Sequence, residues 1–144
     1  MTRLTATDLR NLDGSLAAYE HYLRDATGRD VAGLALDAAG LPDDPSHRSG
    51  LAELEFGVIP LTSGLGLIGG FAQSVAADLT HLGCRRFVTR ATDVAGLPEA
   101  MTRGPAALFT SDDRDFYALD PAHRTVVHNT PATARGFVAG LARM

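Results

Sequence analysis

Three short segments of this chain carry residue types that can hold a small charged molecule. The first, Thr62-Ser63-Gly64-Leu65-Gly66-Leu67-Ile68-Gly69-Gly70, contains glycines in the spacing G-x-G-x-x-G. Between a strand and a helix, such glycines let an anion approach the backbone, where N–H groups and the helix dipole stabilise its charge. The anion is a dinucleotide pyrophosphate, a carboxylate or another small group; tight packing of helix on sheet explains the same glycines without any ligand. The second segment, Thr89-Arg90, ends what reads as the second strand. A NAD site needs an acidic residue there for the ribose hydroxyls, and none is present, so dinucleotide binding through Gly64, Gly66 and Gly69 is the minor reading. The third segment, Ser111-Asp112-Asp113-Arg114-Asp115, sets carboxylates just beyond a buried strand, where they can bind an ammonium group or a metal. A metal requires further oxygen or nitrogen ligands that no nearby spacing supplies, so the expected ligand is an amine held by Asp112, and no metal is expected. Asp115 fits a turn.

Other reactive residues carry less. Asp93, after Thr92, is expected to cap the helix it opens. His81 and Cys84 are spaced as a metal pair could be, but a buried structural cysteine suits the strand that follows Gly83 better. His21, His47 and His123 fall on surface positions, and His128, ahead of the last helix, is the histidine placed to face the crevice. Ser63 follows a strand without a surrounding G-x-S-x-G, which argues against a serine hydrolase.

These segments need a scaffold that gathers strand ends. Phe56 to Leu61, Arg86 to Thr89 and Ala106 to Thr110 read as buried strands, with helical stretches around Phe71 to Leu82 and Asp93 to Met101 between them. That order is β-α-β-α-β, a parallel sheet covered on both faces, whose ligands bind beyond the strands' carboxyl ends at Thr62, Thr89 and Ser111. Phe116 to Leu119 and Thr125 to His128 flank a turn at Asp120-Pro121 and predict an antiparallel hairpin on the sheet's edge. A last helix is expected from Asn129 or Thr130, with Pro131 in its first turn and Phe137, Val138 and Leu141 packed inward. Before the sheet, Leu9, Leu12, Leu16, Tyr19, Leu23 and Ala26 form one helical stripe that starts near Thr5 or Thr7 and stops at Gly28. A second helix runs from an N-cap at Asp30 to Gly40, and the polar stretch Asp43 to Gly50 reads as an exposed loop. The expected fold is thus a three-layer α/β domain over residues 1–144, with a helical cap over 1–42 and the α/β core over 53–144.

At 144 residues and 45% hydrophobic composition, the chain is long enough for one sizeable core. Its net charge of -4 and its scattered basic residues disfavour a nucleic-acid partner. The single cysteine and the polar residues after Met1 fit a cytoplasmic protein without a signal peptide. No apolar run reaches the about 20 residues of a membrane span, since Val58 to Phe71 is broken by Pro60 and several glycines.

The run Val58-Ile59-Pro60-Leu61-Thr62-Ser63-Gly64-Leu65-Gly66-Leu67-Ile68-Gly69-Gly70-Phe71 resembles the amino-terminal region of the pyrrolysine synthase family, NAD-dependent dehydrogenases that form the pyrroline ring. Phe87-Val88-Thr89 with Thr92-Asp93-Val94-Ala95-Gly96, then Phe109 to Phe116, then Asn129, Ala132-Thr133 and Gly136 are similar to that region in order and spacing, as are Leu4-Thr5 and Asp8-Leu9. The resemblance implies a substrate pocket for a lysine acylated by 3-methylornithine, lined by Leu4, Ser63, Gly64 and Asp112; the strand-end and glycine-loop reading adds Thr62, Leu65, Gly66, Thr89 and Ser111. The family continues into a Rossmann domain that holds NAD, whereas this sequence stops at Met144. The leading expectation is therefore an enzyme without a resident cofactor. It would bind an ornithine- or lysine-like amino acid, or its amide, and promote imine formation, cyclisation or isomerisation, with Asp112 and Asp113 moving protons. One alternative is the substrate-binding half of a split dehydrogenase whose NAD sits on a separate subunit; another is a stand-alone dinucleotide-binding domain. A homodimer is the default assembly.

Overall fold

The computed structural model describes residues 6–62, 70–111 and 115–144, with residues 6–15 and 17 described through their backbone alone. Three helices come first: α1 (Ala6–Thr27), α2 (Val31–Ala38) and α3 (Pro45–Glu53). Helix α2 begins as its sequence predicts, because the Asp30 carboxylate accepts from the Gly33 N–H at 2.8 Å. Helix α3 replaces the exposed loop expected over Asp43 to Gly50. Asp44 is its N-cap, accepting from the His47 N–H at 2.9 Å, and Pro45 occupies the first turn. Proline is well placed there because its missing N–H belongs to a group that no helix satisfies. The same proline, with Gly50, looks like a chain-breaker when read in sequence alone.

The rest of the chain alternates β1 (Glu55–Val58), α4 (Phe71–His81), β2 (Arg85–Val88), α5 (Gly96–Arg103) and β3 (Ala107–Ser111). It closes with β4 (Phe116–Asp120), β5 (Thr125–His128) and α6 (Asn129–Leu141). The strands form one five-stranded sheet in the order β2-β1-β3-β4-β5. β1 pairs in parallel with β2 and β3, whereas β3, β4 and β5 form an antiparallel meander. The expected parallel core and edge hairpin are both present.

Side-chain alternation along β1 divides the core in two. Phe56 and Val58 face α4, where Ala72, Val75, Ala76 and Leu79 are buried against them. Ile59 lies on the opposite side with Phe87, Leu108 and Ala100 of α5. Helices therefore cover both faces, as a parallel sheet with crossover connections requires. Gly57 is where the second cluster closes: a Cβ there would lie 2.5 Å from Leu108 Cδ2 and 2.8 Å from Phe87 Cζ. The side chains of the two flanking strands meet over β1 because β1 contributes none.

The last helix departs from expectation. Phe137, Val138 and Leu141 are 67%, 66% and 69% exposed rather than packed inward. Helix α6 lies beside α2, β4 and β5, and Arg143 just beyond it is tied to Asp37 at 2.8 Å. Its apolar face and those of α1, α2 and β5 border an open groove of about 790 Å³ that includes Tyr19, Tyr22, Leu34 and Val126.

Candidate functional site

In the strand order β2-β1-β3, the chain leaves β1 towards one side and returns to its other side, so β1 and β3 flank the topological switch point. In open α/β sheets the ligand crevice lies at such a point, beyond the strands' carboxyl ends. Thr62, past β1, Thr89, past β2, and Ser111, the last residue of β3, all lie at that end of the sheet. Leu4, Ser63, Gly64, Leu65, Gly66, Gly69, Asp112 and Asp113 lie outside the described residues.

Within the described crevice the organising residue is Asp93. Its N–H donates to the Pro60 carbonyl at 2.8 Å, and its carboxylate accepts from the Thr62 N–H at 3.0 Å and the Thr62 hydroxyl at 2.5 Å. The Thr92 hydroxyl donates to the same carboxylate at 3.1 Å. The loops after β1 and β2 are thereby joined through one side chain. This replaces the capping role expected of Asp93: Thr92 is the cap residue of a short 3₁₀ turn over Asp93–Ala95, and no side-chain capping bond forms. Asp93 itself has φ +56°, a left-handed conformation that aspartate tolerates better than most residues but that still carries strain.

The β2 loop is held from below as well. Both Glu99 oxygens accept from the Arg90 N–H at 3.0 Å, and one also accepts from the Ala91 N–H at 3.0 Å. These amide donors hold the Glu99 carboxyl below the usual carboxylate range. Thr89 is buried, and its hydroxyl donates to the Ala91 carbonyl at 2.7 Å, so its proton is committed to the loop. Gly96 lets α5 press against this loop, since a Cβ there would lie 2.6 Å from Ile59 Cγ2 and 2.9 Å from the Ala91 carbonyl oxygen. Sequence reasoning did not find Glu99; its signal is a carboxylate in the first turn of α5, which reads equally as dipole compensation.

Thr89 and Arg90 stand where a ribose-binding acid is needed, and the Glu99 carboxylate that reaches this loop is occupied by the loop's own amides. His128 ends β5 at the same end of the sheet, beside Tyr117 of β4, with its ring 6.2 Å from the Tyr117 ring. It is exposed on the rim of the apolar groove. Cys84 is buried, and desolvation raises its thiol pKa, as suits a structural residue. Among the described residues, no helix is long and apolar enough to cross a membrane, and no group of three or more His, Cys, Asp or Glu is placed to hold a metal.

A five-stranded mixed sheet with crossover helices on both faces of its parallel part defines an α/β protein. The family described as "Pyrrolysine biosynthesis protein PylD, N-terminal domain" matches residues 8–127, and the chain belongs to that family. The chain is 32% identical over 133 residues to a pyrrolysine synthase of Methanosarcina acetivorans and 31% identical over 133 residues to one of Methanosarcina barkeri. Each alignment covers 92% of this chain and 48% of the relative. The chain thus spans about half the length of the curated relatives it matches.

Proposed function

We propose that this chain serves pyrrolysine biosynthesis as an enzyme component that holds an ornithine- or lysine-like amino acid, or its amide, in the crevice at the switch point. The observation that carries the reading is the convergence of Thr62, Asp93 and Ser111 at adjacent strand ends, leading directly into the acidic segment at Asp112 and Asp113. The membership of the family and the pyrrolysine synthase relatives support the choice of ligand. In such a site a carboxylate takes a proton from the bound ammonium, and the free amine adds to the carbon of an aldehyde group that a separate oxidation has already supplied on the ligand. Loss of water then forms the imine, with the acid returning the proton. Asp112 and Asp113 are proposed for that proton transfer, and Leu4, Thr62, Ser63, Gly64, Leu65, Gly66, Thr89 and Ser111 for the walls. No step is routed through a dinucleotide held by this chain.

A second reading follows from the coverage of about half of each relative. Here the chain is the amine-binding portion of a longer or two-part dehydrogenase, and NAD is held by a separate portion. Titration calorimetry of the chain with lysine, ornithine, a 3-methylornithine-containing dipeptide, NAD and NADP tests both. Amine binding that is lost in Asp112→Asn, with neither dinucleotide bound, supports the pocket. Dinucleotide binding alone overturns it. Amine-dependent NADH formation only after adding the carboxyl-terminal half of a relative selects the second reading.

A further inference from the structure

We infer that Asp93 is a positioning residue that sets the crevice's preference for an ammonium group by dictating the polarity of the Thr62 hydroxyl. The inference rests on the amine-binding reading above and specifies it further. A threonine hydroxyl has one proton and two lone pairs, and by itself it binds donors and acceptors alike. Here the proton is directed to Asp93 Oδ2 at 2.5 Å, and the adjoining Thr62 N–H is directed to Oδ1 at 3.0 Å. With both Thr62 donors consumed by one carboxylate, the hydroxyl presents lone pairs only. Thr62 is exposed, so those lone pairs are accessible to a ligand. A hydroxyl that donates to a carboxylate is also polarised into a stronger acceptor, since linked hydrogen bonds reinforce one another. An ammonium group, a triple donor without lone pairs, matches that face; a carboxylate or a carbonyl does not.

The local backbone is built around the same contact. Asp93 adopts φ +56°, its N–H reaches Pro60, and its side chain spans from the β2 loop to the β1 loop. Strain of this kind persists where the surroundings over-determine it. Thr92, the cap residue of the 3₁₀ turn, directs its hydroxyl to the Asp93 carboxylate at 3.1 Å and forms no side-chain capping bond.

Asp93→Asn separates polarity from shape. Asparagine accepts the left-handed conformation and keeps an oxygen for the Thr62 N–H, but its amide nitrogen offers a donor to the Thr62 oxygen where the carboxylate offered an acceptor. The test is calorimetric titration of lysine and ornithine into the wild-type chain, Asp93→Asn, Thr62→Val, the double variant and Thr62→Ser, each first checked for cooperative urea unfolding. We expect each of the first two variants to bind lysine about tenfold more weakly, the double variant to be no weaker than either alone, and Thr62→Ser to bind as wild type. Asp93→Gly keeps the N–H contact to Pro60 and relieves the strain, so it should stay folded and still lose affinity; this covers the case in which Asp93→Asn fails to fold. Wild-type affinity in Asp93→Asn, or fully additive losses in the double variant, overturns the inference and leaves the amine pocket standing. Absence of amine binding by the wild-type chain overturns both. In that case amide hydrogen exchange at Thr62 tells whether the contact itself was misjudged: exchange unchanged by Asp93→Asn removes the contact, and faster exchange removes only the ligand class.

Discussion

At the scale of single residues, the crevice is shaped by groups that bind the chain to itself. Asp93 joins two loops, Glu99 occupies the amides of Arg90 and Ala91, and Gly96 removes the one Cβ that would force α5 away from them. Two of the neighbours that a Cβ at Gly96 would meet are a buried isoleucine and a backbone carbonyl, neither of which can give way easily. Gly96→Ala should therefore lower stability by about 1–3 kcal/mol through overpacking, measured by urea unfolding. It should also disturb the β2 loop, which a changed amide shift at Ala91 would report; an unchanged stability and spectrum would show that the loop yields freely. Of these residues, Asp93 was visible in sequence only as a cap, because Thr-Asp before a helix is the usual capping signal. Nothing in a linear pattern announces a left-handed aspartate whose carboxylate turns 31 residues back along the chain to Thr62. Thr62, Thr89 and Ser111 were legible because the strand pattern alone says where strands end, and ligands in open α/β sheets bind at those ends.

At the scale of elements, the amino-terminal helices are held by charge as much as by apolar contact. Arg48 of α3 donates to Asp30 at 2.7 and 2.9 Å and to Asp43 at 2.5 and 3.0 Å, so one guanidinium joins the start of α2 to the start of α3. Asp37 receives Arg29 at 3.1 Å and Arg143 at 2.8 Å, which extends the network to the end of α6. Arg48 holds the Asp30 and Asp43 carboxyls well below the usual range, and Arg143 does the same for Asp37. A carboxylate with a lowered folded-state pKa stabilises the fold above its unfolded value of about 4, and that contribution is lost as pH falls through the folded value. Thermal unfolding midpoints should accordingly change little from this source between pH 7 and 5 and drop below about pH 4. Arg48→Met should show a shallower acid drop, and an identical acid profile in that variant would remove the network from the explanation. The order of elements was readable from periodicity, since the crossover helices and all five strands lie within a few residues of where alternating and three-to-four spacing put them. Helix α3 was missed because Asp44-Pro45 serves equally as a turn and as a helix start, and only the Asp30 and Asp43 partners of Arg48 show which.

At the scale of the whole molecule, both faces of the sheet carry buried clusters, and the open apolar surface lies along α6. Leu108 is fully buried between β1, β4 and α5, and Leu108→Ala should lower stability by about 2–5 kcal/mol in urea unfolding, as cavity-forming core substitutions do. On the open side, Phe137, Val138, Leu141 and Met144 leave an apolar surface larger than scattered exposed residues usually make. An environment-sensitive dye such as anilinonaphthalene sulfonate should fluoresce with the folded chain, and Phe137→Gln should reduce the signal; equal signals would place the dye elsewhere. The mixed sheet has a temporal consequence too. β3, β4 and β5 follow one another closely in sequence and pair with near neighbours, whereas β1 meets Arg85 and Ala107 only after long stretches of chain have closed. Loop closure is the slow, entropically opposed part of assembly, so the meander should nucleate and the parallel strands should dock on it. Destabilising the meander at Leu119 would then slow refolding, while truncating Val58 to Ala would chiefly hasten unfolding. The crevice, which exists only once β1 lies beside β3, would be the last part of the protein to form.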